Sequence, residues 1–273
     1  MGNVVESLKQ LHELELEALL AIDAVCRKHG IRWFLHGGTL LGAIREGGPL
    51  AWDDDVDISM LKEDFCRFAE VAPKELPPRF ALTLPGDYDE FFDFLPRVTD
   101  LEWSYKATRE DAKAFGGRLD HPDVDIFVLE PSCTGLADAL QSLRLLANYA
   151  QALGHRPSID HSEFSGTAKI ASYVLPAIGK RKPMKRLLAA REKIAAAGSN
   201  TRVLRIVNEL PAYAHLRWDA SWYTPQVART VEFSGVELPV PANAEAVLEL
   251  VYGKSWRTPP PKSQRVPQHA SLR

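Results

Sequence analysis

HGGTLLGAIREGGPLAWDDDVDISM, residues 36–60, is the stretch from which the rest of the chain is read. It joins a glycine pair that opens a short helix to an acidic cluster that runs into an alternating Asp-Val-Asp-Ile segment. A glycine turn at a helix start offers backbone N–H groups and a positive dipole end to an anion. Closely spaced aspartates offer hard oxygen ligands to a cation such as Mg²⁺. Thr39 is placed to cap a helix over 40–45, and Gly47-Gly48-Pro49 breaks it. From Asp55 the polar and apolar residues alternate as in a strand, so Asp55 and Asp57 share one face, about 7 Å apart at a rise of ~3.3 Å per residue.

Upstream, Leu11, Leu14, Ala18, Ala21, Ile22 and Val25 recur at helical spacing. They predict a helix over about 4–29, with Arg27, Lys28 and His29 in its last turn and Gly30 after it. Ile31 to Leu35 then reads as a buried strand that delivers the chain to Gly37-Gly38. Downstream, a helix is expected over 62–71, a strand over 80–84, another over 91–98, and an irregular loop with a hairpin over 104–121.

Val124-Asp125-Ile126-Phe127-Val128-Leu129 reads as a buried strand interrupted by one carboxylate and ended by Pro131. An ionised group among apolar neighbours needs a partner, because leaving it bare in a core is costly. A metal would supply one, and so would N–H groups of a neighbouring loop. Beyond Gly135 helical spacing dominates, with helices expected over 136–154, 168–178, 184–197, 201–209 and 244–252. The fold class is therefore α+β: a mixed sheet core flanked by helices over 1–134, followed by a mainly helical region over 135–273, as a second domain or as one continuous domain.

The chain has 273 residues, a net charge of −3 and a pI near 6.3, so no global basic field marks a nucleic-acid partner. Cys26, Cys66 and Cys133 form no C-x-x-C pair, which removes a zinc framework and fits a reducing, cytoplasmic setting. The first residues turn acidic at once, unlike a signal peptide, and Glu6 stands where a myristoylation signal wants Ser or Thr. No apolar run has the length of a membrane span.

The glycine turn, the Asp-x-Asp strand and the third acid resemble the nucleotidyltransferase fold of the DNA polymerase β type. More closely, Gly37 to Arg45 with Trp52 to Ile58 resembles the run GGTLLGA[VI]R…PWDDD[IV]DI of the LicD family of phosphotransferases, related to fukutin and fukutin-related protein. Asp125 to Glu130 is similar to that family's third motif. Trp222-Tyr223, Phe233-Ser234-Gly235, Pro239, Pro241, Val251 to Trp256, Pro259-Pro260 and His269 resemble its closing segment. The likeness touches about residues 20–130 and 220–270. Glu46 and Gly47 depart from the family's His and Lys, Ala51 replaces its Pro, and the K-[IV]-R-D segment stands here as Arg97-Val98-Thr99-Asp100.

The resemblance implies transfer of a substituted phosphate, such as phosphocholine or an alditol phosphate, from a CDP-linked donor to a hydroxyl of a sugar, glycan or lipid-linked acceptor, releasing CMP. Asp55, Asp57 and Asp125 are the expected catalytic acids and metal ligands, around two Mg²⁺ or Mn²⁺ ions, with Asp55 or Asp125 taking the acceptor proton. Of Asp53 and Asp54, one binds metal or orients the turn, and the other is exposed. Gly37, Gly38 and Thr39 are expected to hold donor phosphate, with Arg45 and Arg97 as further contacts. His36 either donates to phosphate or packs, and His12, His155 and His161 default to the surface. The basic run Lys180 to Arg186 either meets an anionic ligand or is a solvated helix face. Trp103 and Trp222 are headgroup-pocket candidates whose first expectation is core packing. Two other functions are open: nucleotidyl transfer from an NTP with pyrophosphate release, and a non-catalytic nucleotide-binding module.

Overall fold

The computed structural model describes residues 3–105, 116–118, 120–208, 211–224 and 229–267. Its helices are α1 (Leu8–His29), α2 (Gly37–Glu46), α3 (Lys62–Glu75), α4 (Gly135–Ala152), α5 (Gly166–Gly179), α6 (Met184–Ala195) and α7 (Ala244–Tyr252). Its strands are β1 (Asn3–Val5), β2 (Phe34–Leu35), β3 (Val56–Leu61), β4 (Phe80–Thr83), β5 (Arg97–Asp100), β6 (Trp103–Tyr105), β7 (Asp123–Ser132), β8 (Asn200–Ile206), β9 (Trp218–Asp219), β10 (Arg229–Phe233) and β11 (Val236–Val240). The α+β class follows directly. The chain forms two compact units, each built from more than one segment. One joins Met1–Thr83, Pro96–Leu129 and Trp218–Arg273, and the other joins Leu84–Leu95 to Glu130–Arg217.

In the first unit the sheet order is β2-β3-β7-β5-β4. β3 and β7 run parallel, with Val56 opposite Val124, Asp57 opposite Asp125 and Ile58 opposite Ile126. β5 is antiparallel to β7 and sets Arg97 opposite Asp125. Ile58, Met60, Val98, Val124 and Ile126 are buried, as the alternating pattern requires. α1 starts at Ser7, whose hydroxyl accepts from the Gln10 N–H at 3.2 Å, and it ends at Gly30 with a left-handed φ of +60°. Leu11, Leu14, Ala18, Ile22 and Val25 are buried along it.

α2 begins three residues earlier than the capping reading predicts. His36 is its N-cap residue, and Thr39 lies inside the first turn, where its hydroxyl accepts from the Asp57 N–H at 2.9 Å. Thr39 therefore ties α2 to β3 instead of capping its own helix. Gly42 lets the following loop return: a Cβ there would stand 2.4 Å from the Gly48 carbonyl oxygen and 3.1 Å from the Leu50 nitrogen. Alanine normally gains about 1 kcal/mol over glycine within a helix. Here the clash with backbone outweighs that gain, and Gly42→Ala should cost a net ~1–3 kcal/mol, read as a lowered denaturation midpoint.

Several expected elements differ. The strand over 31–35 shortens to β2, and β1 pairs with β6 ahead of α1. The expected strand over 91–98 begins only at Arg97, because Phe91 and Phe94 sit in a non-strand segment packed against Ala152, Leu153, Met184 and Leu187 of the second unit. β7 passes through Pro131 to Ser132. The helix expected over 201–209 is β8, and β10 and β11 form a hairpin, so the second half is less helical than its apolar spacing suggests. The loop expected over 104–121 falls largely outside the described residues, as does His269. In the second unit Arg205 is fully buried and donates to Gln141 Oε1 at 2.9 Å and to Ser142 Oγ at 3.0 Å, which ties β8 to α4.

Candidate functional site

The acid strand and the glycine turn are held together by backbone bonds on both sides of Asp57. Its N–H donates to Thr39 Oγ1, and its carbonyl accepts from the His36 N–H at 3.0 Å. The turn is glycine because the carboxylates occupy the space of a side chain. A Cβ at Gly37, whose φ is +52°, would stand 2.2 Å from Asp57 Oδ2, and one at Gly38 would stand 2.5 Å from Asp53 Oδ2. Two carboxylates thus lie against the N-terminal end of α2, where the helix dipole favours negative charge. The glycines serve the aspartates first.

Across the sheet Asp57, Asp125 and Arg97 form a row on adjacent strands, each step about 4.8 Å. Arg97 Nε lies 2.7 Å from Asp125 Oδ1 and 3.4 Å from Asp123 Oδ2, with both partners mostly shielded from water. A partner for Asp125 that the sequence reading did not name is this guanidinium. Arg97 is thus placed against Asp125 and Asp123.

A cleft with a volume of about 550 Å³ lies wholly within the first unit. Its lining combines Asp53, Asp54, Asp55 and Asp57, with Gly38 and Arg45, and Trp52, Tyr252, Ser255, Trp256, Thr258 and Pro260. Of the expected phosphate contacts, Gly38 and Arg45 reach the cleft, whereas Gly37, Thr39 and Arg97 are not in its lining. Arg45 Nε donates to Glu46 Oε1 at 2.8 Å, its guanidinium carbon stands 5.7 Å from the Trp52 ring centre, and its Nη2 is buried with no hydrogen-bond partner. Asp54, one of the pair expected to include an exposed residue, is buried instead. The aromatic lining is Trp52, Tyr252 and Trp256; Trp103 and Trp222 are not in it, and Trp103 packs with Val5, Leu11 and Leu14, as its first expectation has it.

His36 is fully buried, 4.6 Å from the Phe127 ring and 6.4 Å from the Trp218 ring. Burial drives its pKa down from 6.5 to about 3, so the imidazole is neutral and packs rather than acting as a cationic phosphate donor.

Two α1 residues join this neighbourhood: His12, expected at the surface but half-buried, and Glu15, which the sequence reading did not single out. His12 Nε2 lies 2.7 Å from the Asp53 carbonyl oxygen; because that oxygen only accepts, Nε2 carries the proton. Glu15 is buried, and both of its carboxylate oxygens lack a hydrogen-bond partner. Burial pushes its pKa well above the usual carboxylate range, and Asp55, Asp53, Asp123 and Asp54 push it further in the same direction. The signal was present in sequence: Glu15 stands on the stripe Leu11, Ala18, Ile22, four residues after Leu11. The Tyr105 phenol is raised by burial and by the same field, with Asp123 the leading charge.

A raised acid binds its proton more tightly folded than unfolded. Stability is therefore lost as pH rises above the unfolded value near 4.5, until the folded group itself ionises. In chelator, Glu15→Gln should raise the midpoint at neutral pH by about 2–4 °C, the equivalent of ~1 kcal/mol, and the gain should vanish near pH 4. Thermal melts of both proteins across pH check this.

The donor set suits a hard divalent cation: four aspartates line one cleft, with like charges that a cation would relieve. Among the described residues no three His, Cys, Asp or Glu side chains yet converge on a common ion position. Among the described residues no helix is long and apolar enough to cross a membrane.

Residues 30–134 match the family model described as LicD/FKTN/FKRP, nucleotidyltransferase domain. The chain is 29% identical over 125 residues to the lipopolysaccharide cholinephosphotransferase LicD of Haemophilus influenzae, covering 42% of this chain and 47% of that protein. It is 44% identical over 43 residues to the ribitol 5-phosphate transferase FKRP of Homo sapiens, and equally to that of Mus musculus, covering 16% of this chain and 9% of each relative. The matched part thus spans about half of the bacterial relative and a tenth of the mammalian ones. The Asp53–Asp57 cluster, α2, Arg97 and Asp125 all lie inside the matched residues, whereas Glu15, His12 and the Tyr252–Pro260 part of the cleft lie outside them.

Proposed function

We propose that this chain, which carries a LicD-family domain over residues 30–134, transfers a substituted phosphate from a CDP-linked donor to a hydroxyl of a glycan or lipid-linked acceptor. The observation that carries the reading is the cleft whose lining brings Asp53, Asp54, Asp55, Asp57 and Arg45 together with Trp52, Trp256 and Tyr252. Carboxylates suit metal-bridged phosphate, Arg45 offers a guanidinium to phosphate oxygens, and the indoles offer apolar faces to a headgroup or base. The names of the relatives, a cholinephosphotransferase and a ribitol 5-phosphate transferase, support transfer of a phosphate-linked group.

Asp55, Asp57 and Asp125 are the proposed metal ligands, with Asp53 beside them, for Mg²⁺ or Mn²⁺ as one or two ions. A bound cation would neutralise charge on the phosphoryl oxygens and on the departing nucleotide. Asp57 is fixed by its two backbone bonds, and Asp125 is fixed by Arg97 Nε at 2.7 Å. Asp55, which lines the cleft, is the proposed base. It takes the proton of the acceptor hydroxyl as the new O–P bond forms; the P–O bond to the nucleotide breaks, and CMP leaves with the electron pair. Positioning and electrostatics account for most of the acceleration in such a step.

A second reading is favoured by the match to a nucleotidyltransferase domain model: attack on the α-phosphate of an NTP, with pyrophosphate leaving. Phosphorus NMR of reactions with CDP-choline, CDP-ribitol, CDP-glycerol and NTPs separates the two. CMP from a CDP-linked donor supports the first; pyrophosphate from an NTP with no CMP selects the second and sinks the first.

A further inference from the structure

We infer that α5 and the basic segment after it form a docking surface for an anionic lipid membrane. α5 is turned inside out relative to an ordinary surface helix. Its buried positions are Ser172, Pro176 and Gly179, while Ile170, Tyr173, Val174 and Ile178 are 67%, 54%, 51% and 42% exposed. Those four follow the i, i+3, i+4, i+8 spacing of one helical face. The apolar stripe that would normally enter a core faces outward.

The inversion is built into the packing against α4. A Cβ at Gly179 would stand 1.9 Å from the Gln151 carbonyl oxygen, and one at Gly154 would stand 2.2 Å from the Pro176 carbonyl oxygen. The inner face of α5 therefore admits only small residues, and the backbones approach closely there. On the same side Ser172 donates to the Lys169 carbonyl at 2.8 Å and accepts from His161 Nδ1 at 2.9 Å. His161 stacks on Tyr173 at 3.8 Å, which holds the tyrosine at the edge of the stripe. Rotation of α5 to bury its apolar face would break all of these contacts.

Charge selects the occupant. From Phe164 to Arg191 the sequence holds no Asp or Glu, and it holds Lys169, Lys180, Arg181, Lys182, Lys185 and Arg186 beside the buried Arg191. Lys169 lies within α5, and Lys180 to Arg186 continue from its last turn into α6. An apolar helix face with an interfacial tyrosine and flanking cations is the pattern of a helix that lies in the headgroup layer of an acidic bilayer. At 14 residues, about 21 Å, α5 is too short to cross a hydrocarbon core of ~30 Å, so it lies on the membrane. α4 also exposes Leu136, Leu140 and Leu143, but beside Asp138 and without such a run of cations, so nothing there selects a partner.

The test is co-sedimentation of the 273-residue chain with vesicles of phosphatidylcholine alone and of phosphatidylcholine with phosphatidylglycerol in a two-to-one ratio. The protein should pellet with the acidic vesicles and stay in solution with the neutral ones. Ile170→Ser with Val174→Ser, and separately Lys180→Glu with Arg181→Glu, should each weaken binding at least about tenfold, and all four positions are exposed, so the fold is retained. Absence of binding to acidic vesicles overturns the inference. So does unchanged binding of the Ser variant, which would mean charge adsorption without insertion. Light scattering that shows a dimer, lost in the Ser variant, with no vesicle binding would assign the face to a second copy of the chain and would also overturn it.

Discussion

Asp57→Asn should lower turnover by about three orders of magnitude or more while leaving the melting midpoint within a few degrees of the parent. The substitution keeps the shape of the side chain and both backbone bonds, to Thr39 Oγ1 and from the His36 N–H, so the link between α2 and β3 survives. What it removes is one negative charge from the centre of the proposed metal site, where Asp57 sits opposite Asp125 and against Gly37. Turnover and thermal melts on the same preparations check it. A variant with near-parental turnover would place the chemistry elsewhere.

Acid should destabilise the fold strongly through His36. The imidazole titrates near 6.5 when unfolded and near 3 when folded, because burial among Phe127 and Trp218 penalises the cation. A depressed histidine binds fewer protons folded than unfolded, so its stabilising effect is complete above about pH 6.5 and is lost as pH falls towards 3. The full difference amounts to roughly 5 kcal/mol, a large share of the stability of a typical domain. Denaturant titrations of the parent and of His36→Gln at pH 7.5, 6, 5 and 4 isolate this contribution. His36→Gln loses ring packing and should be the weaker protein at pH 7.5, and the gap should close or reverse by pH 4. A constant gap would show that His36 is not held neutral.

The glycine turn, the acid strand and the third acid were legible because each carries a local signal: a glycine pair, alternation, and a carboxylate in an apolar run. Their meeting is a matter of register, which places Asp57 beside Asp125. α1, α3 and α4 to α7 followed from helical periodicity. β8 did not, since Val203, Leu204, Ile206 and Val207 satisfy a short helical pattern as well as a strand, and tertiary pairing decides such runs. Phe91 and Phe94 likewise looked like strand residues but are buried by a segment without regular structure. Around the site, Arg97 was read as a phosphate contact because its carboxylate partners lie far away in sequence. Trp52 was passed over as a flank of the acids, yet it faces the cleft with Trp256 and lies 5.2 Å from the Arg265 guanidinium carbon. Glu15 was hidden by its type: a glutamate on a helix reads as solvated, although its place on the stripe of Leu11, Ala18 and Ile22 marked it for burial.

The central claim is that the carboxylates gathered at the start of α2 hold the cation that phosphate transfer needs. Calorimetric titration of Mg²⁺, and of Mn²⁺, into the protein with CMP present, repeated with Asp57→Ala, tests it most directly. Saturable binding in the parent that is lost in Asp57→Ala is the expected result. Binding that is unchanged in Asp57→Ala, or absent from the parent, would contradict the assignment.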